Sequence, residues 1–289
     1  MLKSSLIPSS RTFLAILSGL LLTAAFPPGN LEWFSWIAFV PLFKAIESKN
    51  LADSFRLGLI AGLAHYISLS YWLVLVFKAY GGLNLSASIA VLVLICMYLS
   101  LYPAVFSMLS QHMLKARFKV FGIASIWIIL EFLRGKLFTG IPWCLLGYSQ
   151  FTNLRLIQIS DLVGVYGLSF IIMAVNVLLY LILSRSLRYT IRHHRVEIAI
   201  TVVILTSALI YGEKRIAEYS RENRSLKTVK IAVIQGNIDQ SVKWDPEYQE
   251  NTLDRYHRLT SSTYDFTPDL LIWPETAAPF FFQDGTEHS

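Results

Sequence analysis

Up to about Gly212 the chain alternates long apolar runs with short polar clusters; beyond it the apolar runs shorten. A helix that crosses a bilayer needs about 20 mostly apolar residues. Runs approaching that length occupy 12–26, 33–46, 57–77, 85–109, 121–133, 157–183 and 196–211, which predicts about seven spans. The second and fifth are short, so tilted, irregular or partly inserted segments are expected there. Lys3, Arg11 and the small residues near Ala25 give the first run some features of a secretory leader. Pro27-Pro28-Gly29 stops that run and six more follow, which favours a retained span.

After Glu213 the period changes. Residues 213–227 are charged and read as helix running into a linker. The β-branched stretch 229–234 fits a short buried strand, ended by the turn residues Gln235-Gly236-Asn237. Trp244-Asp245-Pro246 opens a helix over 247–260, with Asp245 as cap and Pro246 at the first helical position. A second strand over 270–273 ends at Pro274-Glu275. Strand, helix, strand is the start of an α/β layered domain.

Composition sharpens this division. Hydrophobic residues make up 54% of the 289 and charged residues only 15%, against about 25% charged in soluble domains. The net charge of +6 comes from basic residues clustered between apolar runs, which marks membrane-flanking loops and excludes a nucleic-acid groove. With the N-terminus in the cytoplasm, that side carries Lys3, Arg11, Lys44, Lys49, Arg56, Lys115, Arg117, Lys119, Arg185, Arg188, Arg192 and Arg195. The opposite loops carry Lys78, Arg134, Lys136 and Arg155. This bias follows the positive-inside rule, and an odd number of spans then puts the C-terminal segment outside the cytoplasm.

Candidate chemistry is sparse. Cys96 and Cys144 have no Cys or His at ligand spacing, so no metal is expected. Gly58 and Gly62 form a GxxxG pair suited to close helix approach. His65, one turn on, reads as a neutral histidine bonded to a neighbouring helix, with a functional role as the alternative. Glu131 and Arg134 stand at i and i+3 and are placed to pair. The Gly140-Ile-Pro142-Trp143-Cys144 and Gly147-Tyr148-Ser149-Gln150 stretches then interrupt the helical pattern. Two readings stay open: an interfacial loop with a structural ion pair, or an irregular segment lining a cavity at the outer membrane face. Glu275 ends its strand where open α/β sheets place chemistry. Its neighbours Trp273, Pro274 and Phe280-Phe281-Phe282 are apolar, an environment that raises a carboxylate pKa and suits a general base.

These segments resemble the bacterial apolipoprotein N-acyltransferase family. The opening of its nitrilase-type domain is similar to 229–237 with Ser241-Val-Lys-Trp244-Asp and Leu271-Ile-Trp-Pro-Glu275-Thr-Ala. Its membrane domain is similar to Ala25-Phe-Pro-Pro28, 131–135, 140–143, 147–150 and Asp161-Leu-Val-Gly164-Val-Tyr-Gly167. The resemblance covers essentially the whole chain. It implies a polytopic α-helical membrane domain over 1–212, a linker over 213–227, and the incomplete start of an αββα nitrilase-like (CN hydrolase) domain over 228–289.

It also implies an activity. A glutamate base, a lysine and a cysteine nucleophile move an acyl chain from a phospholipid donor, through a cysteine thioester, to the N-terminus of a diacylglyceryl apolipoprotein acceptor. No cofactor or metal is implied, and the expected state is a monomer in the bacterial inner membrane. Glu275 matches the family glutamate and Trp244 a tryptophan near the site entrance. Trp244, Glu131, Arg134, Trp143, Tyr148 and Gln150 are the candidate substrate-binding residues, and the 140–150 segment would help form a lipid-facing floor under the periplasmic domain.

The departure from the pattern is downstream. Fourteen residues follow Glu275, none of them lysine or cysteine. The expectation is a fragment or truncated product that does not catalyse transfer by itself. The rival readings are a membrane-anchored nitrilase-class amidase and a non-catalytic membrane or lipid-binding module.

Overall fold

A computed structural model describes residues 9–222, 227–240 and 242–279. The chain divides into two compact units, Met1–Tyr219 and Ser220–Ser289.

The first unit is helical. Its elements are α1 (Ser9–Ala24), α2 (Val40–Ile46), α3 (Leu51–Ser70), α4 (Leu73–Ala79), α5 (Leu85–Met113), α6 (Lys119–Arg134), α7 (Leu154–Ile157), α8 (Ser160–Arg185) and α9 (Leu187–Glu222). Asparagine side chains cap three of them: Asn50 accepts the Asp53 amide at 2.7 Å, Asn84 the Ala87 amide at 2.9 Å and Asn153 the Leu156 amide at 3.3 Å. Among the described residues α5, α8 and α9 are long and apolar enough to cross a membrane. A fourth such segment is counted if α3 and α4, bent by 52° at Tyr71-Trp72, form one broken span.

The run over 33–46 is not one helix. A 3-10 turn, Glu32–Trp36, precedes the seven-residue α2, which rises only about 10 Å and is too short to cross as a helix. Pro41 near the start of α2 has no N–H to continue a helix from the preceding turn. This irregular stretch is held from α8. Asn176 donates to the Ser35 carbonyl at 2.8 Å and accepts the Phe39 amide at 3.0 Å. Such backbone is tolerated at membrane depth only where protein satisfies it.

Helices α1, α3 and α5 pack through small residues. A Cβ on Gly62 would lie 2.8 Å from Ser100 Cα, one on Gly58 would collide with the Pro103 carbonyl, and one on Gly19 with that of Ala61. The sequence spacing Gly58/Gly62 therefore marks a real seam. His65 is buried beside it, its Nδ1 2.9 Å from the Thr23 hydroxyl of α1, as the packing role requires. The core is completed by Phe39, Phe43, Phe106, Trp127 and Tyr180, with Phe39 and Phe106 edge-on to Trp127 at 4.7 and 4.9 Å.

The second unit is a βαβ element. Strands β1 (Ile231–Val233) and β2 (Leu270–Ile272) pair in parallel, Ile231 opposite Leu270 and Val233 opposite Ile272. Helix α10 (Gln249–Ser261) connects them. Asp245 accepts the Glu247 amide at 3.0 Å where the helical stretch opens. Ile234, Tyr256 and Ala277 form its small core. Gly236 is required there, because a Cβ would run into the Tyr256 ring.

Candidate functional site

The C-terminal end of α6 carries Glu131 and Arg134, both buried at 3% exposure. Their i, i+3 spacing predicts a mutual ion pair, and this is corrected: neither is within ion-pairing distance of the other among the described residues. Each reaches the following loop instead. Glu131 Oε1 accepts the Leu146 amide at 2.6 Å. Arg134 donates to the Trp143 carbonyl at 3.1 Å and to the Tyr66 hydroxyl, with its guanidinium 5.7 Å from the Tyr66 ring centre. The Arg134 carbonyl accepts the Ile141 amide at 2.9 Å. A desolvated backbone donor is a better partner for the carboxylate here because it would otherwise be orphaned.

Loop 140–150 is thus tied at successive backbone groups. The Gly147 amide donates to Ser169 Oγ at 2.8 Å, and a Cβ on Gly147 would press on the Val165 carbonyl of α8 at 2.6 Å. Gln150 closes the loop. Its amide donates to the Glu32 carbonyl at 3.1 Å and Ser35 Oγ at 2.9 Å, and its oxygen accepts from Trp36 Nε1 at 3.1 Å. Phe138, Thr139 and Cys144 take positive φ along the path. Trp143 and Tyr148 are 58% and 48% exposed.

Beneath the loop lies an apolar pocket of about 220 Å³. Phe26, Leu69, Trp72, Leu99, Ile141 and Cys144 are among its lining residues. Cys144 is a free, half-buried thiol against this pocket. Cys96 is buried in α5.

In the second unit Glu275 lies in the turn after β2 and is exposed. The apolar enclosure suggested by its neighbours is absent among the described residues, because Trp273 turns aside to stack on Tyr256 at 5.2 Å and bonds Thr260. Phe280-Phe281-Phe282 and Ser241 lie outside the described residues, as does Lys3. Lys243 Nζ donates to the Glu275 carbonyl at 3.3 Å, and Trp244 is half exposed. The sequence did not point to Tyr66, Ser169 or Asn176 as partners. Their hydrogen bonds join positions 68, 22 and up to 141 residues apart, with no local signature.

Three to four membrane-capable helices among the described residues and a loop tied to buried polar groups define a membrane-type helical protein whose chain also carries a short α/β unit. The family described as apolipoprotein N-acyltransferase N-terminal domain matches residues 18–178. The chain belongs to the apolipoprotein N-acyltransferase family. It is 41% identical over 286 residues to the apolipoprotein N-acyltransferase of Geobacter metallireducens, covering 98% of this chain and 54% of that protein. It is 32% identical over 287 residues to that of Pasteurella multocida, covering 96% and 54%, and 32% identical over 273 residues to that of Wigglesworthia glossinidia brevipalpis, covering 93% and 52%. The chain spans about half the length of these curated relatives.

Proposed function

We propose that this chain supplies the membrane platform and the opening of the catalytic domain of a phospholipid-dependent N-acyltransferase acting on diacylglyceryl apolipoproteins. The observation that carries this is the tied loop 140–150. It roofs an apolar pocket of a size suited to part of an acyl chain, with two buried charges fixing its route. The exposed rings of Tyr148 and of Trp143, which also lines the pocket, then meet the lipid interface, where amphipathic rings belong.

The proposed setting is the bacterial inner membrane, with about seven apolar segments and 33–46 as an irregular one. The basic bias puts the N-terminus in the cytoplasm, 1–212 in the membrane and the segment after the linker 213–227 outside the cytoplasm. Residues 228–289 are proposed as the start of a nitrilase-like domain, supported by the parallel β1–α10–β2 order. Glu275 is its general base and Trp244 lies near the entrance. The thioester step needs a cysteine and a lysine that have no counterpart between Glu275 and Ser289. It is therefore proposed for a polypeptide that carries them.

The test is a chimera that joins, after Ser289, the part of the Geobacter relative outside the match. In cells depleted of their own enzyme, N-acylation of a lipoprotein is read by mass spectrometry of its N-terminal peptide. The chimera is expected to restore it, and Glu275→Gln to lower it about 10²- to 10⁴-fold, the usual contribution of a positioned base. Full activity in the Glu275→Gln chimera would remove Glu275 from the mechanism. Hydrolysis of soluble amides without acylation would favour an amidase.

A further inference from the structure

A second feature sits at the other end of α6. Lys119 opens that helix and Arg134 closes it, fifteen residues on, or roughly 22 Å at the helical rise. Around Lys119 a cavity of about 110 Å³ is lined by residues following α2, the close of α5 and the end of α8. A water needs about 10–15 Å³ of such space, so the cavity holds several waters or one tetrahedral oxyanion. Lys115, Lys119 and Arg185 converge there with the buried Gln111 and with Glu47.

The nearby carboxylates are already used. Lys44 donates to Glu47 at 2.7 Å, and Arg185 lies 3.9 Å from it. Glu197 accepts the Val120 amide at 2.9 Å and holds His194 at 2.6 Å. Lys115 and Lys119 have no carboxylate within ion-pairing distance among the described residues. Burial, opposed by Glu197 and reinforced by Arg185, pushes Lys119 below the ordinary ammonium range. Three cations around one cavity repel each other, and an anion seated between them reverses the sign. Two ammonium groups and a forked guanidinium suit a phosphate, whose oxygens accept from all three. Basic pockets between helices at the membrane surface are known headgroup sites.

We propose that this cavity binds a phosphate group, presented by an anionic phospholipid headgroup or as free phosphate ion. It is separate from the loop 140–150 pocket and does not depend on the acyltransferase reading.

The full chain in neutral detergent is titrated calorimetrically with inorganic phosphate and, separately, with short-chain phosphatidylglycerol. Short-chain diacylglycerol is the control without phosphate. Saturable binding of at least one phosphate-bearing probe is expected, about thirtyfold weaker in Lys115→Gln/Lys119→Gln and retained in Lys115→Arg/Lys119→Arg. Arg185→Gln, at an exposed position, gives an independent loss of about fivefold. Response to the lipid alone assigns the headgroup as source, and response to phosphate alone assigns the free ion; both support the site. Absence of saturation, an equal response to diacylglycerol, or unchanged affinity in a glutamine variant with native circular dichroism overturns it.

Discussion

Glu131 shows how one buried carboxylate can act on a loop rather than on its helical neighbour. Its replacement by alanine leaves the Leu146 amide unmet in a dry site, a loss of about 1–3 kcal/mol. Glu131→Ala is expected to lower the denaturation midpoint and expose loop 140–150 to protease. Glu131→Gln, which keeps an acceptor oxygen, should retain most of both properties. Equal behaviour of the two variants would remove the hydrogen bond from the account. Residue identity alone made Glu131, Arg134 and Gln150 visible as candidates, because polar groups in apolar surroundings stand out. Their partners were not legible. Tyr66, Trp143 and Ser169 meet them only through tertiary packing, and the helical i, i+3 rule pointed Glu131 and Arg134 at each other.

Among elements, the long helices were plain from run length: the run over 85–109 became Leu85–Met113, and that over 157–183 became Leu154–Ile157 followed by Ser160–Arg185. The failures came where backbone is irregular. Hydropathy cannot see that Asn176 satisfies the 35–39 backbone, nor that α3 and α4 part at Tyr71-Trp72. The strand–helix–strand order in the second unit was legible because β-branched runs and the Asp-Pro start are local signals. The glycine seam gives a sharp expectation at this scale. Gly62→Val forces α3 away from Ser100 of α5, so detergent-purified protein should unfold at a lower temperature and yield fewer folded molecules. Ala52→Val at an exposed position of the same helix should cost less than Gly62→Val. If it costs more, the seam is not the tight contact described.

At the scale of the molecule, the two units differ in how much they can bury. The first has an extended core, while the second rests on Ile234, Tyr256 and Ala277 around a two-stranded sheet. Two strands and one helix rarely suffice for independent stability. Residues 220–289 expressed alone should therefore show a broad, non-cooperative thermal transition by circular dichroism, whereas a sharp one would refute this. A polypeptide limited to 1–289 should not restore lipoprotein N-acylation, and a peptide mass shift by one acyl chain would count against that. Loop 140–150 has a further consequence. The ties at its centre run from outside residues to its main chain: Glu131 to an amide, Arg134 to a carbonyl and Ser169 to an amide. The side chains it displays are under no such duty. A lineage can thus exchange Trp143 or Tyr148 and retune what the surface prefers, while the course of the loop is inherited unchanged.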